Sequence, residues 1–170
     1  THAITSALFG VLRPGDNFLS ITGKPYESLE EVIGLRGNGN GSLIDFGISY
    51  DEISLKSDGN IDFKALGKAL NIPRKLIFIQ RSCGYTWRPS LNIEIIKEIC
   101  NLCHNKQPDC ICFVDNCYGE FVENKEPTAV GADLIAGSLI KNIGGTIVPT
   151  GGYIAGKFDL VDKACCRLTA

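Results

Sequence analysis

The stretch NIEIIKEICNLCHNKQPDCICFVDNCYGEF, residues 92–121, changes its hydrophobic period partway along. In the first half Ile93, Ile96, Ile99, Cys100 and Cys103 recur at helical spacing, which makes one face of a helix apolar. In the second half CICFV, residues 110–114, is an unbroken apolar run, the mark of a strand buried on both faces. That run ends in a carboxylate, Asp115.

The same alternation extends in both directions. HAITSALFGVL (2–12) is apolar at helical spacing and stops at the turn signal RPGD. NFLSIT (17–22) reads as a short buried strand. YESLEEVIGL (26–35) reads as a helix whose early acids suit the positive end of its dipole. SLIDFGISY (42–50) is expected to be a strand, Asp62–Leu70 a short amphipathic helix and KLIFIQRS (75–82) a strongly apolar strand. ADLIAGSLI (132–140) and GGYIAG (151–156) follow, then FDLVDKACCRL (158–168), which is helical. Apolar strands alternating with helices predict an α/β fold: three layers, with a mostly parallel sheet covered on both faces. Ligands of such sheets bind beyond the carboxyl ends of the strands. This directs attention to Thr22–Tyr26, Arg81–Arg88, Asp115–Glu120 and Ser138–Lys141.

Bulk properties narrow the function. The chain has 170 residues, 44% of them hydrophobic, enough for a core of one domain or slightly more. A net charge of −2 leaves no basic footprint for nucleic acid. No apolar run approaches the ~18 residues of a membrane span, and no secretory leader is visible, so the expected location is cytoplasmic. The eight cysteines are then expected as reduced thiols. The absence of methionine and the abrupt ends lead us to expect a piece of a longer protein.

Asp115 ends one strand, and Ser138 and Lys141 form Ser-x-x-Lys at the end of a later one. This is the residue set that pyridoxal phosphate chemistry needs. A lysine amine forms a Schiff base with the cofactor aldehyde. A carboxylate pairs with the protonated pyridine nitrogen and keeps the ring an electron sink. A serine hydroxyl nearby can donate to the phosphate.

Six segments in order carry a more specific resemblance: THAITSALFGVLRPGD, TGKPYESLEEVIG, QRSCGYTWRPS, FVDNCYGEFVE, EPTAVGADLIAGSLIKN and GGYIAG. Together they resemble the aluminium-resistance/methionine gamma-lyase-like family, in the Cys/Met-metabolism branch of fold-type-I pyridoxal phosphate enzymes. The resemblance implies that residues 1–170 are most of the cofactor-binding large domain, with an N-terminal segment and a small C-terminal domain lying outside them. It implies a carbon–sulfur lyase acting on a sulfur-containing amino acid of the cystathionine/methionine class through an internal aldimine on Lys141. It also implies a homodimer or homotetramer. Position by position, Lys141 resembles the Schiff-base lysine, Asp115 the pyridine-nitrogen partner and Ser138 a phosphate ligand. Thr1 and His2 resemble the end of a phosphate-cradling Ser-Gly-Thr-His-Ala loop, and Tyr26 the aromatic stacked on the ring. Arg81 and Arg88 are candidates for substrate or phosphate, because guanidinium groups suit both. Ile140 and Asn142 depart from the branch, which usually has a hydroxyl residue before the lysine and often an aromatic after it. Partial burial and a neighbouring cation are expected to lower the Lys141 pKa, which suits it to act as a base.

Other readings compete. The chain could be a non-catalytic or truncated homologue. CNLCH (100–104) matches a haem-attachment string, and Cys100, Cys103, Cys110 and Cys112 could build a redox or zinc module. Helical spacing puts Cys100 and Cys103 on the apolar face, and strand alternation puts Cys110 and Cys112 together on one buried face. RGNGNGS (36–42) imitates a nucleotide loop, but it precedes a strand rather than opening a helix.

Overall fold

The computed structural model describes residues 1–169. Six strands among these residues make one sheet: β1 (Asn17–Ser20), β2 (Ser49–Glu52), β3 (Leu76–Gln80), β4 (Ile111–Asp115), β5 (Leu134–Ser138) and β6 (Gly152–Gly156). Their order is β2-β1-β3-β4-β5-β6. The first five run parallel, and β6 returns antiparallel against β5. Among the described residues five α-helices flank the sheet: α1 (His2–Val11), α2 (Glu27–Ile33), α3 (Phe63–Ala69), α4 (Ile93–Lys106) and α5 (Phe158–Thr169).

Alternation along the strands divides the core in two. Phe18, Leu76, Phe78, Phe113 and Leu134 pack against α1, α2 and α5. Leu19, Ile77, Ile79, Cys112 and Val114 pack against α3 and α4 on the opposite face. Successive side chains of a strand point to opposite faces, so an all-apolar strand feeds both layers. On the first face Phe18, Phe78 and Phe113 stand edge-to-face across β1, β3 and β4, with ring centroids 5.6 Å apart at each step. The sheet is thus the middle of a three-layer α/β/α stack, as the alternating pattern predicts.

Local chemistry sets the helix ends. Asn92 caps α4 by accepting from the Ile95 N–H at 2.9 Å, and Asp62 caps α3 by accepting from the Ala65 N–H at 2.8 Å. The apolar face of α4 is the predicted set, with Ile93, Ile96, Ile99, Cys100 and Cys103 all buried.

One predicted element needs correction. The strand expected over residues 42–50 is paired only at its end, in β2, and residues 42–47 form turns. The Ser42 Oγ accepts from the Asp45 N–H, and the Asp45 carboxylate accepts from the Gly41 N–H at 2.8 Å. These short polar side chains satisfy the backbone locally, so Leu43 is buried without a ladder.

α1 and α5 cross in close contact, and Gly10 makes this possible. A Cβ on Gly10 would lie 2.6 Å from the Ala164 Cα and 2.7 Å from the Lys163 carbonyl oxygen, both backbone atoms. The Arg167 Nε also donates to the Phe9 carbonyl across the same contact. Gly10→Ala is therefore expected to force the helices apart and destabilise the full-length protein by roughly 1–3 kcal/mol, read as a lowered thermal unfolding midpoint.

Candidate active site

The parallel register brings the chemistry to one edge of the sheet. Gln80 on β3 lies opposite Asp115 on β4, and Asp115 lies opposite Ala136 on β5. Two residues beyond Ala136 the strand ends at Ser138, and the chain enters a wide turn, Leu139–Ile143. Lys141 interrupts that turn with non-helical backbone angles (φ −101°, ψ −129°). The Asn116 N–H continues the ladder by donating to the Ala136 carbonyl at 2.8 Å.

A cavity of about 840 Å³ opens there. Its wall includes Thr1, His2, Tyr26, Asp115, Ser138 and Lys141, which are all the predicted cofactor residues. Thr1 precedes α1 and Tyr26 precedes α2, so the N-termini of two helices border the cavity. The α1 end offers unpaired backbone N–H groups and a positive dipole end, which suit a phosphate.

Arg81 and Arg88 are turned elsewhere. The buried Arg81 guanidinium donates at 2.8 Å to Asn116 Oδ1, to the Gly119 carbonyl and to Glu123 Oε1, and at 3.3 Å to the Leu91 carbonyl. It clamps the loop after β4. Arg88 donates to the carbonyls of Gln80, Ser82 and Pro89, so it closes its own loop. Both guanidiniums are spent on the protein, because a strand-end loop with this many free carbonyls needs donors. Neither lines the cavity.

Electrostatics within the cavity centre on Asp115, which is 3% exposed. Its Oδ1 accepts from the Cys117 N–H at 3.1 Å. Burial raises its pKa, and the opposing pull of the Cys117 hydrogen bonds and the Lys141 charge does not cancel the rise. A buried carboxyl with so few donors fits a protonated ring nitrogen, whose charge would restore the carboxylate. At Lys141 the expected direction is reversed. Burial pulls its pKa down, but Cys117, Tyr118 and Asp115 together push it above the ordinary lysine value. Each of these neighbours favours the ammonium, and none is the cation that the sequence reading supposed.

Sequence reasoning reached Cys117 and Tyr118 only as part of the span Asp115–Glu120, with no role, and missed Gln80 and Tyr153 as wall residues. The signal for the first two was adjacency to Asp115 in DNCYGEF. Tyr153 was hidden because only the antiparallel return of β6 puts it across from Gly137. Gly137 has no room for a side chain: a Cβ there would run into the Tyr153 ring and the Glu120 carboxylate. Tyr153 donates to Glu120 Oε1 at 2.9 Å and accepts from Asn116 Nδ2 at 3.1 Å, which fixes the residue next to Asp115.

The cysteines lie apart from this cavity, Cys117 and Cys165 excepted. Cys100, Cys103, Cys110 and Cys112 are buried in the core between the sheet and α3 and α4. Burial raises the Cys110 thiol pKa to about 12. Cys112 is raised further by its contacts with Cys100 and Cys103. Cys110 and Cys112 are thus held neutral, and all four thiols serve as packing groups. His104, Cys112 and Asp133 offer ligand-type atoms within 4.8 Å of one another. Asp133 is already engaged, by His104 and the Cys112 N–H through Oδ2 and by Lys157 through Oδ1.

The fold defines a class: the α/β fold shared by pyridoxal phosphate-dependent proteins. The pyridoxal-5'-phosphate dependent protein YhfS from Escherichia coli shares that fold at a TM-score of 0.71 and 15% identity, over 98% of this chain and 39% of its own. More narrowly, the chain belongs to the methionine gamma-lyase family, whose family model matches residues 1–170. It is 55% identical to a carbon-sulfur lyase involved in aluminum resistance from Clostridium novyi NT, with a TM-score of 0.93 over 99% of this chain and 40% of that one. It is also 55% identical to YnbB of Bacillus subtilis (strain 168), over 100% of this chain and 41% of that protein. The chain thus spans about two fifths of the length of these relatives. Among the described residues no helix is long and apolar enough to cross a membrane.

Two outcomes follow from this geometry. Arg81→Ala is expected to destabilise the full-length protein by about 3 kcal/mol, because Glu123 and the loop carbonyls lose a shared buried donor; chemical denaturation measures this. The raised Asp115 pKa means that the folded chain holds a proton which the unfolded chain has released, so stability falls as pH rises above the ordinary carboxyl value. Asp115→Asn removes that loss. Its cofactor-free form is expected to melt above the wild type at about pH 7.5, with the gap closing toward about pH 4.

Proposed function

We propose that the full-length protein is a pyridoxal phosphate-dependent carbon–sulfur lyase acting on a sulfur-containing amino acid of the cystathionine/methionine class. The observation that carries this reading is one cavity walled by Lys141, Asp115, Ser138 and the N-terminus of α1. Pyridoxal phosphate bound there supplies an aldehyde that captures amines and a ring that draws off electrons. Lys141 Nζ is the anchoring amine and, once free of its proton, the base at the substrate. Asp115 holds positive charge on the ring nitrogen. Ser138, Thr1 and the first N–H groups of α1 hold the phosphate, with His2 beside them. Tyr26 offers a flat, largely buried ring to stack on.

The Lys141 amine must lose a proton before it can act, and its neighbours resist that loss. A cationic ring nitrogen paired with Asp115 would weaken that resistance by neutralising one of the neighbours. The same reading makes the protein a homodimer or homotetramer that acts in the cytoplasm. The fully exposed Tyr85 at the cavity wall and Trp87 beside it support such an assembly.

Borohydride reduction of the full-length protein, expressed with pyridoxal phosphate, followed by peptide mass spectrometry is expected to leave a pyridoxyl group on Lys141. Lys141→Ala is expected to lose both that adduct and release of the sulfur product. Retained turnover in the variant, or an adduct on another lysine, would overturn the reading.

A further inference from the structure

Tyr118 lies outside the roles assigned above. It follows Asp115 by three positions, lines the cavity and is more than half exposed. Its φ is +65°, in the left-handed region that L side chains rarely adopt. Its neighbours hold the backbone in that shape. The Gly119 carbonyl accepts from Arg81 at 2.8 Å, and the Glu120 carbonyl accepts from Asn142 Nδ2 at 3.1 Å. The second bond ties the loop after β4 to the residue next to Lys141. The result is a ring whose centroid lies 4.1 Å from Lys141 Nζ.

We propose that Tyr118 is a positioning residue whose ring face seats the Lys141 ammonium beside Asp115 and Cys117. A lysine on a turn, facing a cavity of about 840 Å³, has four side-chain torsions to explore. The negative face of an aromatic ring attracts a cation within about 6 Å of its centroid. The seat therefore limits where Nζ can be and favours its charged form. Three groups face the amine: Cys117 and Asp115 from the end of β4 and its first turn, and Tyr118. Of these, Tyr118 alone offers a ring face. In the proposed enzyme the seat sets how readily Lys141 gives up its proton when the cofactor arrives. That meaning rests on the reading of Lys141 as the anchoring amine, but the contact itself does not.

The test uses full-length, cofactor-free protein with its lysines converted to ¹³C-dimethyl-lysine. The Lys141 resonance is assigned by its absence in Lys141→Arg, and its chemical shift is followed against pH. Tyr118→Asn removes the ring while keeping a side chain that tolerates positive φ, so the loop can hold its shape. Its Lys141 midpoint is expected to fall by roughly half a pH unit relative to wild type. Tyr118→Phe keeps the ring face and is expected to match wild type. An unmoved midpoint in Tyr118→Asn overturns the proposal. So does a Tyr118→Phe midpoint that falls as far as the asparagine variant, because the hydroxyl would then be the active part. Borohydride labelling of the wild type reads the cofactor separately. A protein without the adduct but with the Tyr118-dependent midpoint would refute the function and keep the seat.

Discussion

The hydrogen-bonded register of β4 between β3 and β5 is the constraint on which the site depends. It sets Asp115 level with Gln80 on one side and Ala136 on the other. Parallel strands end at the same edge, so the residues that leave them meet although they are far apart in the chain. Asp115 and Lys141 are neighbours for this reason. A slip of one residue in β4 would turn Asp115 to the other face of the sheet and move Phe113 out of the aromatic row. The core that sets the register and the cavity that uses it are two ends of one arrangement.

The loop after β4 shows how structure and chemistry share residues. Buried Arg81 and Asn116, half-buried Glu126 and exposed Glu123 form a network beneath it. The network gives the loop one path, and that path carries Cys117 and Tyr118 past the Lys141 amine. Positive φ at both Tyr118 and Phe121 is consistent with a chain shaped by its anchors rather than by local preference. Arginine suits the anchor because its planar fork can serve several acceptors at once.

Burial and pairing act in opposite directions inside the cavity. Asp115 is raised because little there stabilises a carboxylate, while Lys141 is raised because all its near neighbours favour a cation. The pair attracts, yet burial of the acid outweighs that attraction. A ligand that is anionic at one end and cationic at its ring nitrogen complements both features, with the α1 terminus taking the anionic end. This complementarity is the physical content of the cofactor reading.

Much of this was legible in the sequence. The unbroken apolar runs at 76–79 and 110–114 and the helical face from Ile93 to Cys103 determined the layered α/β fold, because burial on two faces leaves no other periodicity. Asp115 and the Ser138–Lys141 pair were legible as strand-end polar groups. Other features were decided only by tertiary structure. Residues 42–47 have strand-like composition but turn locally, because Ser42 and Asp45 compete for the backbone. Arg81 and Arg88 looked like ligand groups, and only the folded loops show which carbonyls claim them. The sign of the Lys141 shift was beyond the sequence too: it depends on Cys117, then Tyr118 and Asp115, facing the amine together, on a loop held by bonds from Arg81 and Asn142. Periodicity reports which residues leave water, and that is enough to choose the fold. The charge state of a group depends on distances between atoms far apart along the chain, and those exist only after folding.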